Sequence, residues 1–215
     1  MNDSNRQSSK TALAVDVWLL WIDAVGGYRL LEGERFTIGG PGGDDVADIA
    51  VRSSWRRHMA LLARTGDDFW LQTPSVDDGV VQATATKPVV FGTRLPVEAT
   101  ALAGLASQPE LRLHKPSPLS GTVMVTLEPP HRFVLPIDAM LLVDRTILIG
   151  ADRTNHIRTS RIAEGAMVLA KRADGWWIRQ ACGTTQRLAE GERQQVGELA
   201  MVIRREVAIL KKEKR

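Results

Sequence analysis

Arg35-Phe-Thr-Ile-Gly-Gly40, Ala47-Asp-Ile49, His58-Met-Ala-Leu-Leu62 and Asp67-Asp-Phe-Trp-Leu71 follow one another in the first half of the chain. The same order of elements returns as Thr146-Ile-Leu-Ile-Gly-Ala151, Asn155-His-Ile157, Ala166-Met-Val-Leu169 and Asp174-Gly-Trp-Trp-Ile178. Corresponding residues stay about 107 to 111 positions apart. Self-similarity at a fixed offset means one structural unit built twice, so the chain reads as two similar β units.

Outward from these stretches, short apolar runs alternate with turn signals. Residues 15–23 and 28–31 flank Val25-Gly26-Gly27 and read as a β-hairpin. A third strand over 35–38 ends in Gly39-Gly40-Pro41-Gly42-Gly43, too glycine-rich for helix or sheet. Further strands are expected over 48–51, 58–63, 69–72, 89–94, 95–97, 111–114 and 123–127, with a turn-rich stretch over 74–79. A helical turn is conceivable over the alanine-rich residues 98–107. In the second half, strands are expected over 132–135, 140–143, 147–149, 166–171, 176–179 and 199–204. Short strands at this spacing imply an all-β sandwich. Pro129-Pro130 marks the boundary between the units, since proline cannot donate to a sheet ladder. The expected organisation is a disordered leader over 1–12, a first domain over 13–128, a second over 131–210 and a charged tail over 211–215.

Composition narrows the function classes. The 215 residues carry 28 Lys+Arg and 25 Asp+Glu, a net charge of +3. That field is weak and does not call for nucleic acid. Cys182 is the only cysteine, so no intrachain disulfide forms, which fits a reducing cytoplasm. No apolar run reaches the ~20 residues of a membrane span. Asp16 and Asp23 interrupt the apolar residues of 11–25, which fit a strand better than an export signal.

The motif string in the first half resembles the forkhead-associated (FHA) domain. That family reads apolar-x-Ile-Gly-Arg, Asn/Asp-Ile, Ser-Arg-x-His-Ala, a strand, then Ser-x-Asn-Gly-Thr. Residues 110–120, with Leu111-Arg-Leu113 and Pro118-Leu-Ser120, are also similar to a stretch of tandem FHA-like proteins of planctomycete bacteria. The resemblance implies a β-sandwich whose loops at one end bind phosphothreonine peptides, followed here by a shorter, degenerate copy.

The departures from that pattern bear on function. The family arginine after Ile-Gly is Gly40 in the first copy and Ala151 in the second; its phosphate-binding serine falls at Trp55 and Ile162. The family histidine is His58 and then Gly165, and the Asn-Gly turn becomes Asp78-Gly79 behind Asp77. Paired carboxylates there repel a phosphate. Gly39, His58 and Gly79 remain as structural motif positions, and the resemblance implies a largely buried His58.

Ser53-Ser54-Trp55-Arg56-Arg57 is the strongest binding candidate. Hydroxyls and guanidinium groups beside a glycine-rich loop suit a dianion, and Gly40 and Asp78 belong to the same rim. The competing reading makes Arg56 and Arg57 solvated charges. Adjacent Trp176 and Trp177 point to opposite faces of a strand and mark a candidate interface. No cluster has metal-ligand spacing, no nucleophile–base pair is present, and no cofactor is expected. Two roles stay open: a non-enzymatic protein–protein interaction scaffold, self-association included, or a phosphothreonine-peptide reader using Ser54, Arg56 and Arg57. Neither role involves nucleic acid or a membrane.

Overall fold

Three sheets carry the chain. The computed structural model describes residues 15–42, 46–77, 80–97, 108–162 and 165–206, and among them no residue is helical. The central sheet has seven strands, in the order β16 (Arg193–Val196), β17 (Leu199–Arg205), β1 (Asp16–Ile22), β2 (Gly26–Glu32), β10 (Ala139–Val143), β9 (Val123–Leu127) and β8 (Leu111–His114). A second sheet has the order β4 (Ile49–Ala50), β3 (Arg35–Gly39), β5 (Ala60–Thr65), β6 (Asp68–Asp77) and β7 (Val80–Pro88). The third runs β12 (Ile157–Arg158), β11 (Thr146–Gly150), β13 (Ala166–Arg172), β14 (Gly175–Arg179) and β15 (Thr185–Leu188). The two smaller sheets share one strand order, and the two similar sequence stretches occupy corresponding strands.

The smaller sheets cover opposite faces of the central one. Successive side chains on a strand point to opposite faces. Leu31, Met140, Leu142, Val123 and Val125 therefore join Phe36, Ile38, Leu62 and Phe69 in one core. Their neighbours Leu30, Leu141 and Val143 join Ile147, Leu169, Trp176 and Ile178 in the other. All five residues of β10 are buried, as a strand covered on both sides requires.

Strands from both sides of Pro129-Pro130 share the central sheet. β1 pairs antiparallel with β17, and β2 pairs parallel with β10. Tyr28 faces Ala139 and Glu32 faces Val143, so residues 111 positions apart stand opposite each other. The expected boundary separates two stretches of sequence, but the chain on either side of it is interleaved in one sheet.

Cations bind the layers together. Arg64 on β5 donates to the Leu142 and Val143 carbonyls (2.7 and 2.9 Å) and lies 4.9 Å over Phe69. Lys171, at the corresponding place on β13, donates to Glu32 (3.0 Å) and lies 5.2 Å from the Trp176 ring. Each grips the end of the other half's opening strand. Buried Arg29 on β2 forms a two-pronged pair with Glu206 (2.9 and 2.8 Å) and also donates to the Asp48 carbonyl.

The local differences from expectation have identifiable causes. Residues 74–77 continue β6 instead of turning, because β7 pairs with β6 up to Asp77 and takes Pro74 at a register shift. Residues 89–97 and 132–135 form no continuous strand; they make the isolated bridges Arg94 with Arg112 and Val51 with Phe133, and scattered backbone hydrogen bonds such as that from the Leu95 amide to the Leu111 carbonyl. β15 and β16 lay in polar sequence that carries no strand periodicity. The helical turn considered over 98–107, the leader 1–12 and the tail 211–215 lie outside the described residues.

One side-chain contact to a strand amide repeats across the halves. The Thr37 amide donates to Asp48 (2.8 Å), and the corresponding Leu148 amide donates to Nδ1 of His156 (2.9 Å). His156 is 2% exposed, and its Nε2 donates to the Thr122 carbonyl (3.2 Å). That pattern requires the neutral imidazole, and burial pushes its pKa below the ordinary value. The unfolded chain takes up this proton from about pH 6.5 downward while the folded one resists. Stability is therefore expected to fall as pH drops through that range, with His114, also lowered by burial, adding to the slope. Urea denaturation across pH 5–8 checks this; His156→Asn, whose amide oxygen still accepts from Leu148, should flatten the curve.

Removing the Glu206 carboxylate leaves the Arg29 charge largely buried. Glu206→Ala is expected to cost about 2–3 kcal/mol, read as a shift in the urea midpoint.

Candidate functional site

The loop between β4 and β5 is the sequence-predicted site, and its backbone folds back over the end of β3. The Gly40 amide donates to the Arg56 carbonyl (2.8 Å), and the Val51 amide donates to the Gly39 carbonyl (2.9 Å). The approach explains both glycines. A Cβ at Gly39 would strike the Arg57 carbonyl oxygen, and one at Gly40 would strike that of Trp55. Glycine is required here by contact, not by backbone conformation.

Trp55 anchors the loop. It is 7% exposed and belongs to the first core, and the Ser53 hydroxyl accepts from its backbone amide (3.2 Å). Around it Ser54, Arg56 and Arg57 are exposed and Ser53 is partly buried. The connector before β10 braces this loop from the side. The Arg52 amide donates to the Arg132 carbonyl (2.8 Å), and its guanidinium donates to the Val134 carbonyl (3.0 Å).

The structure thus brings Gly39, Gly40, Ser53, Ser54, Arg56 and Arg57 together. His58 joins them but is exposed, not buried as the resemblance implied. The buried histidine is His156, at the place corresponding to Asp48, where one acceptor is needed for a strand amide. Asp78 and Gly79 lie outside the described residues.

The second half builds a parallel arrangement that motif matching missed. The Thr159 amide donates to the Gly150 carbonyl (2.9 Å), as Val51 does to Gly39. Its hydroxyl accepts from the Arg161 amide (3.2 Å), leaving Ser160 and Arg161 exposed. Asp152 accepts from the Thr154 amide (2.8 Å) and hydroxyl (2.9 Å), which hold its carboxyl below the usual range, with Arg158 adding a smaller pull. The signal available in sequence was Thr159-Ser-Arg161, three positions upstream of where alignment to the first copy placed the serine.

The tryptophan pair divides between core and surface. Trp176 is 1% exposed and meets Trp18, from the other half of the chain, edge-on at 6.2 Å, so it packs inside the second core and is not open to a separate partner. Trp177 is partly buried, donates to Asp174 (2.9 Å) and lies under Arg172 at 4.7 Å. The exposed counterpart is Trp70, 37% exposed, beside a groove of about 640 Å³ that Arg35 and Gln72 also line. Among the described residues no group of three or more His, Cys, Asp or Glu could hold a metal ion, and no helix is long and apolar enough to cross a membrane.

The chain matches no family model, no curated protein and no solved structure.

Placing an arginine, the residue of the FHA pattern, at position 40 tests the packing there. Gly40→Arg has to displace the Trp55 backbone and is expected to cost about 2 kcal/mol or more, against about 3–5 kcal/mol for Trp55→Ala. Thermal denaturation reads both.

Proposed function

We propose that this protein is a non-enzymatic recognition scaffold of FHA-like ancestry, binding a protein partner through the loops at the end of its sandwich without requiring phosphate. One observation carries the reading. The Trp55 carbonyl occupies the space that any side chain at position 40 would need. The family's arginine has no room beside this backbone, and its serine position is filled by a tryptophan committed to the core. The degenerate motif is supported by packing on both sides, so it is a built feature of the loop.

The corresponding contacts of the two halves support the tandem reading. The shared strand order of the outer sheets does so too. A free, exposed thiol at Cys182 fits a reducing compartment, and the cytoplasm is the proposed setting. Exposed Ser54, Arg56 and Arg57 favour the second reading, a phosphothreonine-peptide reader, because guanidinium forks suit phosphate oxygens.

Titration of the purified protein with phosphothreonine and unphosphorylated peptide libraries, at two salt concentrations, separates the two. The scaffold reading expects equal binding of both libraries and no phosphate-specific loss in the Arg56→Ala/Arg57→Ala variant. Phosphate-dependent binding abolished by that variant would replace it with the reader.

A further inference from the structure

The parallel pairing of β2 with β10 has a directional consequence. Both strands start at one end of the central sheet. Each then turns back, so β3 and β11 return toward that same end and finish at Gly39 and Gly150. Contacts fix the ends independently. Arg64 and Lys171, late in β5 and β13, reach the finishing ends of β10 and β2. At the opposite end, Val51 bridges Phe133 just ahead of β10, and a Cβ at Gly197 would meet Gln180 and Met167. The loops of both halves therefore open on one surface, and the connector that carries Arg132 lies against the first set.

That surface is rich in arginine. Arg56, Arg57 and Arg132 are exposed on one side, and Arg153, Arg158 and Arg161 on the other. Most described carboxylates at this end already have partners. Asp23 pairs with Arg193, Asp138 accepts from the Gly27 amide and Asp152 accepts from Thr154. Glu110 and Glu128 pair with Arg112. Glu198 is exposed without a described partner. Asp77 adds a carboxylate to this same end as the last residue of β6; Asp44, Asp45, Asp78 and Glu164 lie outside the described residues.

We propose that the two loop sets form one docking surface for an acidic, extended protein segment that touches both halves at once. This deepens the scaffold reading and rests on it. Guanidinium groups recognise carboxylates through two parallel hydrogen bonds, and the exposed Ser54 and Ser160 hydroxyls can add donors. The outer sheets stand about 10 Å to either side of the central one, so the loop sets are about 20 Å apart. An extended segment of about six residues spans that distance. Engaging both sets makes the second contact intramolecular and raises affinity without new chemistry. A protein segment fits better than nucleic acid. Trp55 is buried and so is not offered to a base for stacking.

Fluorescence anisotropy with three labelled probes tests this on the full chain. The probes are an unphosphorylated twelve-residue Glu/Ser peptide, its four-residue fragment and a single-stranded DNA of equal charge. The long peptide is expected to bind tightest, about 100-fold above the fragment, with affinity falling as salt rises. Arg56→Glu/Arg132→Glu and Arg153→Glu/Arg161→Glu should each reduce long-peptide binding to the level of the fragment. Circular dichroism and melting confirm that these exposed substitutions leave the fold intact. Sensitivity to one pair alone overturns the shared surface while leaving the recognition reading in place. Tighter binding of DNA overturns the acidic-protein assignment. No binding of either peptide, with peptide-library binding retained, overturns this proposal alone; loss of both removes the scaffold reading as well.

Discussion

The parallel ladder between β2 and β10 is the constraint on which the rest depends. It places the opening strands of two similar sequence stretches side by side at the centre of a sheet covered on both faces. Such strands must be apolar in consecutive positions, because alternate residues enter different cores. Leu30 and Leu31, and Leu141 and Leu142, meet that demand in matched pairs across the ladder. Arg29 is the polar exception, accommodated only because Glu206 and the Asp48 carbonyl satisfy its guanidinium.

Interleaving follows from this ladder. β1 belongs to the first stretch of sequence but closes the second core through β17. β10 belongs to the second stretch but pairs with β9 and lends Met140 and Leu142 to the first. Arg64 and Lys171 then fasten each outer sheet to the other half's strand end. A cation over an aromatic ring, with its head on backbone carbonyls in one half and a carboxylate in the other, serves the same mechanical purpose with different chemistry. Neither half completes its core without the other.

The loop end shows how packing limits chemistry. A phosphate site needs side chains free to turn toward a ligand. At Gly40 and Trp55 the backbone sits too close and the aromatic ring too deep for that. Arg56 and Arg161 take part in holding the loops through their own backbone atoms, a carbonyl and an amide, and both side chains are exposed.

Much of the all-β class, the strand–turn rhythm and the correspondence between the halves could be read along the chain, because apolar periodicity and glycine placement are local properties. The Ser53–Arg57 loop was legible for the same reason. Polar strands such as β15 and β16 were not, since their pairing comes from neighbours distant in sequence. Trp176 and Trp177 look alike in sequence, and only the sheet stacking buried one and left the other partly exposed. His58 carried the expected motif, yet His156 took the buried role, because the requirement was one acceptor for the Leu148 amide and not a particular residue at the motif position. Sequence alone determined that two similar β stretches exist, since that depends on local pattern. The tertiary structure decided that they share a sheet and face one way, because strand partnership and direction are set by which surfaces are buried together.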